Sequence, residues 1–434
     1  MNPLILGLLG LVLLLTLLLL RMPIGLSMAV TGFLGFCMLS TFKAGFSLLG
    51  LVTYQTASSY TLTVIPLFIL MGQFAGHSRM GADLYQGVYR WIGFLPGGLA
   101  MATVAACAGF AAVSGSSLAT ATTMGMVALP EMKRFGYDDR LATGCVAAGG
   151  TLGILIPPST VMVIYGILTE QPIGTLFVAG ILPGLLLSAL FLITIYILTV
   201  RNPELGPPGP RFSLRERIGA LQSMGGLLGL FILVIGGLYA GWFTPTEAAG
   251  IGAFGALLVT LIKRRLNREN LLASLTETTL TTAMIFLILI GANIFGYFLA
   301  VSQIPEWVIS RATSLGMNRY LVLGVVCLVY MVLGCLMEGL AIMVITLPVI
   351  YPMMMNLGFD PIWFGVVITL FMEMSLITPP VGMNVFLISG VARDVPMAVI
   401  FRGILPFFLA MVVCLVLLIL APQIALFLPG TMSR

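Results

Sequence analysis

Two short stretches carry residues suited to holding a cation at depth in a membrane. Residues 153–166, "GILIPPSTVMVIYG", set Pro157-Pro158-Ser159-Thr160 inside an apolar run. Residues 375–390, "SLITPPVGMNVFLISG", set Thr378, Pro379-Pro380, Gly382 and Asn384 inside another. Proline lacks an amide hydrogen, and its ring steers the preceding residue out of the α region. A helix beginning near residue 141 must therefore unwind near Ile156 and leave carbonyl oxygens without partners. Gly149, Gly150 and Gly153 permit close approach upstream, and Ser159 and Thr160 offer hydroxyls downstream. Irregular backbone at membrane depth is tolerated only when buried in protein or lining a wet cavity. Carbonyl and hydroxyl oxygens there suit a hard cation such as Na+.

The elements that must position these oxygens are membrane helices. The chain has 434 residues, 59% hydrophobic and only 8% charged, and its mean hydropathy of +1.13 lies far outside the soluble range. Apolar runs able to cross a core of about 30 Å occur near residues 3–20, 24–40, 62–78, 141–168, 173–199, 219–242, 246–262, 278–301, 361–391 and 395–426. The first follows Met1-Asn2-Pro3 without a basic region or cleavage site, and so reads as a retained span. The net charge of +5 belongs to short loops between spans, where it orients the chain, and not to a nucleic-acid surface.

With residue 1 outside, sixteen Lys and Arg fall inside and only Lys43, Arg311, Arg319 and Arg434 outside. That orientation places both termini in the periplasm. It requires residues 98–130 and 320–356 each to enter and leave on one side, as re-entrant hairpins, the first opening inward and the second outward.

The chain also repeats. Pro23 and Pro245 are 222 residues apart, as are Pro157 and Pro379; Leu129-Pro130 answers Leu347-Pro348. Five spans plus a hairpin per half make the two copies cross in opposite senses. The expected fold is an all-α polytopic membrane protein of two inverted-topology repeats, each with about five transmembrane helices, a re-entrant hairpin and one discontinuous helix. Residues 1–200 form the first repeat (hairpin about 98–130, broken helix about 141–168) and 219–434 the second (hairpin about 320–356, broken helix about 361–391). Between them, residues 201–218, rich in Pro, Gly and charge, read as a cytosolic linker.

The hairpins supply the facing wall. Ser114-Gly115-Ser116-Ser117 sits where the first should turn, and Met337-Glu338-Gly339 where the second should. Helix N-termini at such turns attract carboxylates. Glu338 and Glu373 are intramembrane carboxylates, read either as ion-coupling groups or as capping and pairing residues. Glu277, near a helix start, reads as interfacial. The paired prolines alone could be a kink, and any one Ser or Thr could bond its own i−4 carbonyl.

Other chemistries find little support. "GIGAFG" (250–255) lies inside a span with no strand before it, and no phosphate-binding G-x-x-x-x-G-K-[ST] occurs. His77 is the only histidine, which excludes His-based metal clusters and leaves a Ser-His-Asp enzyme unsupported. The six cysteines, Cys37, Cys107, Cys145, Cys327, Cys335 and Cys414, are scattered singly and read as packing residues. Tyr85, Tyr89, Trp91 and Phe94, with Arg79 and Arg90, read as one amphipathic arm along the interface; Pro305, Trp307 and Arg311 read as a second. A channel would need a continuous pore, where hairpins from opposite faces suggest alternating gates.

"GILIPPST", "LITPPVGMN", the hairpin "AAVSGSS" and "FTPTEAAGIGAFGA" (243–256) together resemble the large membrane subunit of tripartite ATP-independent periplasmic (TRAP) transporters, of the ion-transporter superfamily. The resemblance implies import of an organic acid, such as a C4-dicarboxylate or sialic acid, across the bacterial inner membrane on a Na+ gradient. It implies a periplasmic substrate-binding protein and a small four-helix membrane subunit, here unfused, as partners. One Na+ would lie among Ser114, Ser117, Gly150, Gly153 and Pro157, and a second among Gly339, Thr378, Gly382 and Met383. Substrate would sit near Ser116, Ser159, Thr160 and Asn384. No Lys or Arg lies in these stretches, so helix N-termini and Na+ must balance an anion. The resemblance also implies an elevator-like motion, though a rocking motion suits the sequence equally, and a self-sufficient Na+/carboxylate symporter of the same superfamily is the nearest alternative.

Overall fold

A computed structural model describes residues 2–314, 318–334 and 337–432; Cys335 and Arg434 lie outside the described residues. These are helical throughout, with no strand among them. The first half comprises α1 (Pro3–Leu19), α2 (Ile24–Leu39), α3 (Phe42–Ala57), α4 (Val64–His77), α5 (Met80–Ile92), α6 (Gly98–Ser114), α7 (Ser117–Arg134), α8 (Asp139–Leu155), α9 (Thr160–Leu168) and α10 (Ile173–Arg201). The second comprises α11 (Leu214–Tyr239), α12 (Pro245–Ile262), α13 (Arg268–Ser302), α14 (Ile304–Ser314), α15 (Arg319–Gly334), α16 (Gly339–Asn356), α17 (Pro361–Leu376), α18 (Met383–Val391), α19 (Met397–Leu420) and α20 (Gln423–Gly430). Eight of the helical stretches are long and apolar enough to span a membrane.

The halves match through the hairpins and broken helices. α7 and α16 begin 222 residues apart, as do α8 and α17. Both broken helices start from the same local signal, Gly-aromatic-Asp. Gly136 and Gly358 take left-handed φ values of 72° and 78°, a region favouring glycine. Two residues on, Asp138 accepts from the Arg140 amide, and Asp360 accepts from the Ile362 and Trp363 amides, capping helix donors that would otherwise be unpaired.

One difference lies outside the apolar runs. Residues 42–57, between the runs at 24–40 and 62–78, form α3, capped by Thr41. Its counterpart is fused into α13, whose 35 residues run about 52 Å at 1.5 Å per residue. The first half breaks that rod at Ser58-Ser59.

Helices of the two halves interleave. α2 lies along α13, and α4 along α12 and α13; elsewhere α8 packs on α6, α7, α17 and α19. Small residues set the approach, as in membrane helix pairs generally. A Cβ built on Gly291 would meet the Gly25 carbonyl oxygen at 2.1 Å, and one on Gly144 would meet the Gly403 carbonyl oxygen at 2.4 Å.

The linker is held in place. The Gly97 amide donates to the Gly206 carbonyl and the Gly209 amide to the Gly93 carbonyl. Trp91 donates to the Arg217 carbonyl at 3.1 Å, and the Arg217 guanidinium lies 5.2 Å from the Phe94 ring centre, within cation–π range. The linker thereby staples the α5 arm to the start of α11.

Candidate functional site

α8 stops where proline chemistry requires: Ile156 is extended (φ −83°, ψ 123°), and Pro157-Pro158 follows with a cis bond. Ser159 restarts the chain by accepting from the Met162 amide at 3.3 Å. Against this break rests the first hairpin tip. Gly115, at φ +61°, turns the chain from α6 to α7, and Ser116 caps α7 by accepting from the Ala119 amide at 3.3 Å. The Gly115 carbonyl accepts from the Thr160 hydroxyl at 3.1 Å and from the Thr160 amide at 3.4 Å.

The glycines make this docking possible. A Cβ on Gly153 would meet the Ser116 carbonyl oxygen at 2.4 Å, and one on Gly150 would come within 2.6 Å of the Ala121 side chain and 3.3 Å of the Ser117 carbonyl oxygen. The Ser114 hydroxyl pairs with that of Thr120 at 2.6 Å. Ser114, Gly150, Gly153 and the Pro157 break therefore come together around the tip.

Ser117 reaches the other half. Its hydroxyl donates to Glu373 Oε2 at 3.0 Å and accepts from Asn384 Nδ2 at 3.0 Å; Asn384 also approaches the Ala147 carbonyl at 3.4 Å. Glu373 and Asn384 are fully buried. Glu373 Oε1 has no partner among the described residues. A buried carboxylate with a single hydroxyl donor is expensive unless a cation or a proton compensates it. Sequence reasoning singled out all three residues and missed the network, because 256 residues separate Ser117 from Glu373.

The second break is built alike. Thr378 donates to the Ser375 carbonyl at 3.0 Å, Pro379-Pro380 is cis, and Gly382 at φ +58° starts α18 at Met383. Pro379, Pro380 and Val381 are exposed. Gly339 packs on Met372, a turn before this break. Glu338 stands at the N-cap position of α16, yet its side chain makes no capping bond.

A cavity of about 560 Å³ ends on both hairpins. Ser114, Ser116, Ser117 and Thr160 line it from the first half, Glu338 and Gly339 from the second, and no Lys or Arg contributes. It extends along α4 and α13 to Gln73, His77, Glu277 and Thr281. Glu277 lies in the third turn of α13, is exposed, and lines this cavity. Ser159 and Asn384 are buried and do not line it. His77 Nδ1 lies 3.0 Å from the Gln73 carbonyl and 3.3 Å from the Ser274 hydroxyl. The hydroxyls of Ser114, Ser116, Thr120 and Thr160 and the Gly115 carbonyl give the first tip a set of oxygen atoms, which fits a hard cation, and no cluster of three His, Cys, Asp or Glu is found among the described residues.

Beyond His77, Asp83 on the α5 arm takes Lys263 at 2.5 Å and Arg265 at 2.8 Å. Burial works to raise its carboxyl, but hydrogen bonds and charge from Arg265 and Lys263 prevail and hold it below the ordinary aspartate range. The pair fixes the arm to the turn between α12 and α13.

Paired hairpins and paired broken helices around one cavity, in a chain of many spans, define a polytopic transporter permease of inverted-repeat design. Residues 11–424 match the family described as "Tripartite ATP-independent periplasmic transporter, DctM component", and the chain belongs to that family. It is 39% identical over 384 residues to the C4-dicarboxylate TRAP transporter large permease protein DctM of Pseudomonas aeruginosa, covering 88% of this chain and 89% of that one. It is 31% identical to the sialic acid TRAP transporter large permease protein SiaM of Vibrio cholerae, over 94% and 95% of the two chains. In fold it is similar to the Alcanivorax borkumensis YdaH transporter, with a TM-score of 0.61, 17% identity and coverage of 90% and 88%.

Proposed function

We propose that this large permease subunit imports an organic acid, a C4-dicarboxylate, sialic acid or similar carboxylate, across the bacterial inner membrane together with Na+. The observation that carries this reading is the cavity that ends on both hairpin tips, with the first proline break docked at Gly115 and hydroxyl and carbonyl oxygens beside it. One Na+ binds at the first tip, among Ser114, Ser117, Gly150, Gly153 and Pro157. A second binds near Gly339, Thr378, Gly382 and Met383. Substrate takes the cavity between Ser116, Thr160 and the α16 N-terminus, while Ser159 and Asn384 support it from behind. With no cationic side chain in the cavity, the carboxylate is balanced by helix N-termini and bound Na+, so substrate affinity depends on sodium. Glu373, buried beside Ser117, is the coupling carboxylate, and Glu338 lies in the path of the substrate.

The face bearing Arg79, Lys263, Arg264 and Arg265 is cytosolic and both termini are periplasmic; the cavity, which runs toward that face, is the inward-facing one. Hairpins and broken helices move as one body against α2, α4, α12 and α13, in an elevator motion. A periplasmic binding protein delivers substrate, and a small four-helix membrane subunit completes the permease.

Reconstitution in liposomes with candidate binding proteins tests this. Uptake of a scanned organic acid should require a sodium gradient, the binding protein and the small subunit. Uptake without the binding protein would favour a self-sufficient symporter, and non-saturable flux a channel.

A further inference from the structure

Where the transport cavity reaches His77, a second basin of about 340 Å³ begins, sharing that histidine. Its polar lining is His77, Arg79, Arg264, Arg265, Asn267 and Asn270, with no acidic residue. Arg265 is committed to Asp83 and to the Ser78 carbonyl. Arg79 and Arg264 have no ion-pair partner among the described residues, and both are exposed. They sit at φ +58° and +53°, two residues after the ends of α4 and α12, a conformation that residues other than glycine mostly avoid. Three guanidiniums thus border one basin, and the Asp83 carboxylate is already shared between Lys263 and Arg265. Guanidiniums and side-chain amides are the groups that recognise oxyanions through charge-assisted hydrogen bonds.

We propose that this basin is an oxyanion site, for a carboxylate or phosphate group, at the mouth of the transport cavity. It rests on the transport reading only for its place on the exit route. Its ligand is either the departing organic acid or an anionic phospholipid headgroup. The second source has a path because exposed apolar side chains stand two residues from the lining on either side in sequence, Ile262 (78% exposed) before Arg264 and Leu272 (54% exposed) after Asn270.

The test is anion binding to the purified full chain at low ionic strength, where screening is least, in phosphatidylcholine nanodiscs. Succinate or inorganic phosphate should raise the thermal unfolding midpoint saturably. Phosphatidylglycerol in the nanodisc, without soluble anion, should do the same if the ligand is a headgroup. A response to either source supports the site and names the source. Arg79→Gln with Arg264→Gln should weaken the apparent affinity about tenfold or more, whereas Arg79→Lys with Arg264→Lys should largely preserve it. The midpoint without anion reports whether each variant still folds. No response in the wild type, an undiminished response in the Gln pair, or a response abolished by Ser116→Ala instead, would overturn the proposal. Absence of sodium-driven uptake would sink the transport reading and leave this measurement untouched.

Discussion

The two proline breaks lie 222 residues apart, carry the same cis pair and follow helices capped by equivalent aspartates, yet Pro157-Pro158 is buried and Pro379-Pro380 is exposed. The first is covered by its own hairpin, whose tip glycine binds Thr160. The second has Val381 40% exposed at its apex, and the other half reaches its helix from beneath, through the Ser117–Asn384 contact, the approach of Asn384 to the Ala147 carbonyl and the packing of α7 and α8 on α18. The chain break is therefore a local property of proline, repeated faithfully. The cover is a tertiary property, which differs between copies.

That difference can be broken in order of size. Gly153→Ala pushes a methyl into the Ser116 carbonyl. It should cut sodium-driven uptake about 100-fold, the equivalent of roughly 3 kcal/mol of overpacking, while leaving membrane insertion intact; near-normal uptake would mean that the first tip need not dock. Glu373→Gln keeps the shape and removes the charge, so the sodium concentration for half-maximal uptake should rise about tenfold. An unchanged sodium dependence would leave Glu373 a purely structural partner of Ser117.

At the exposed break, Gly382→Ala meets no backbone closer than 3.2 Å, its nearest neighbour being a Val385 methyl at 3.0 Å, and takes the left-handed backbone penalty of about 1–2 kcal/mol. Uptake should fall by roughly 10- to 20-fold, short of Gly153→Ala. Equal losses at the two sites would erase the asymmetry. Smallest of all, Thr160→Val removes one hydroxyl donor to Gly115 while its amide bond remains; a hydrogen bond of about 1 kcal/mol corresponds to a loss of several-fold in uptake.

Much of this design is legible in the sequence wherever the cause is local. Proline's missing amide placed the end of α8 at Ile156, and the matched offsets placed α17 and α18. Hairpin turns fell where Ser-Gly-Ser and Glu-Gly interrupt apolar runs. α3 escaped because Lys43, Thr53 and Gln55 interrupt its apolar run and its start rests on one capping threonine. The Gly-aromatic-Asp signal before both broken helices was present and would have fixed their starts. What no local pattern encodes is the meeting of Ser117, Glu373 and Asn384, or which side chains end in the cavity and which behind it. Ser159 and Thr160 are adjacent, yet only Thr160 faces the cavity, because Ser159 is consumed in starting α9.

The close helix contacts at Gly25–Gly291 and Gly144–Gly403 join segments from opposite copies. Neither contact could form within one copy alone: a half-length chain would need an upside-down twin, and such a twin would carry every residue twice. In a single chain the copies are free to differ. The position matching Glu373 is Thr151, so the buried acid beside Ser117 has no second copy.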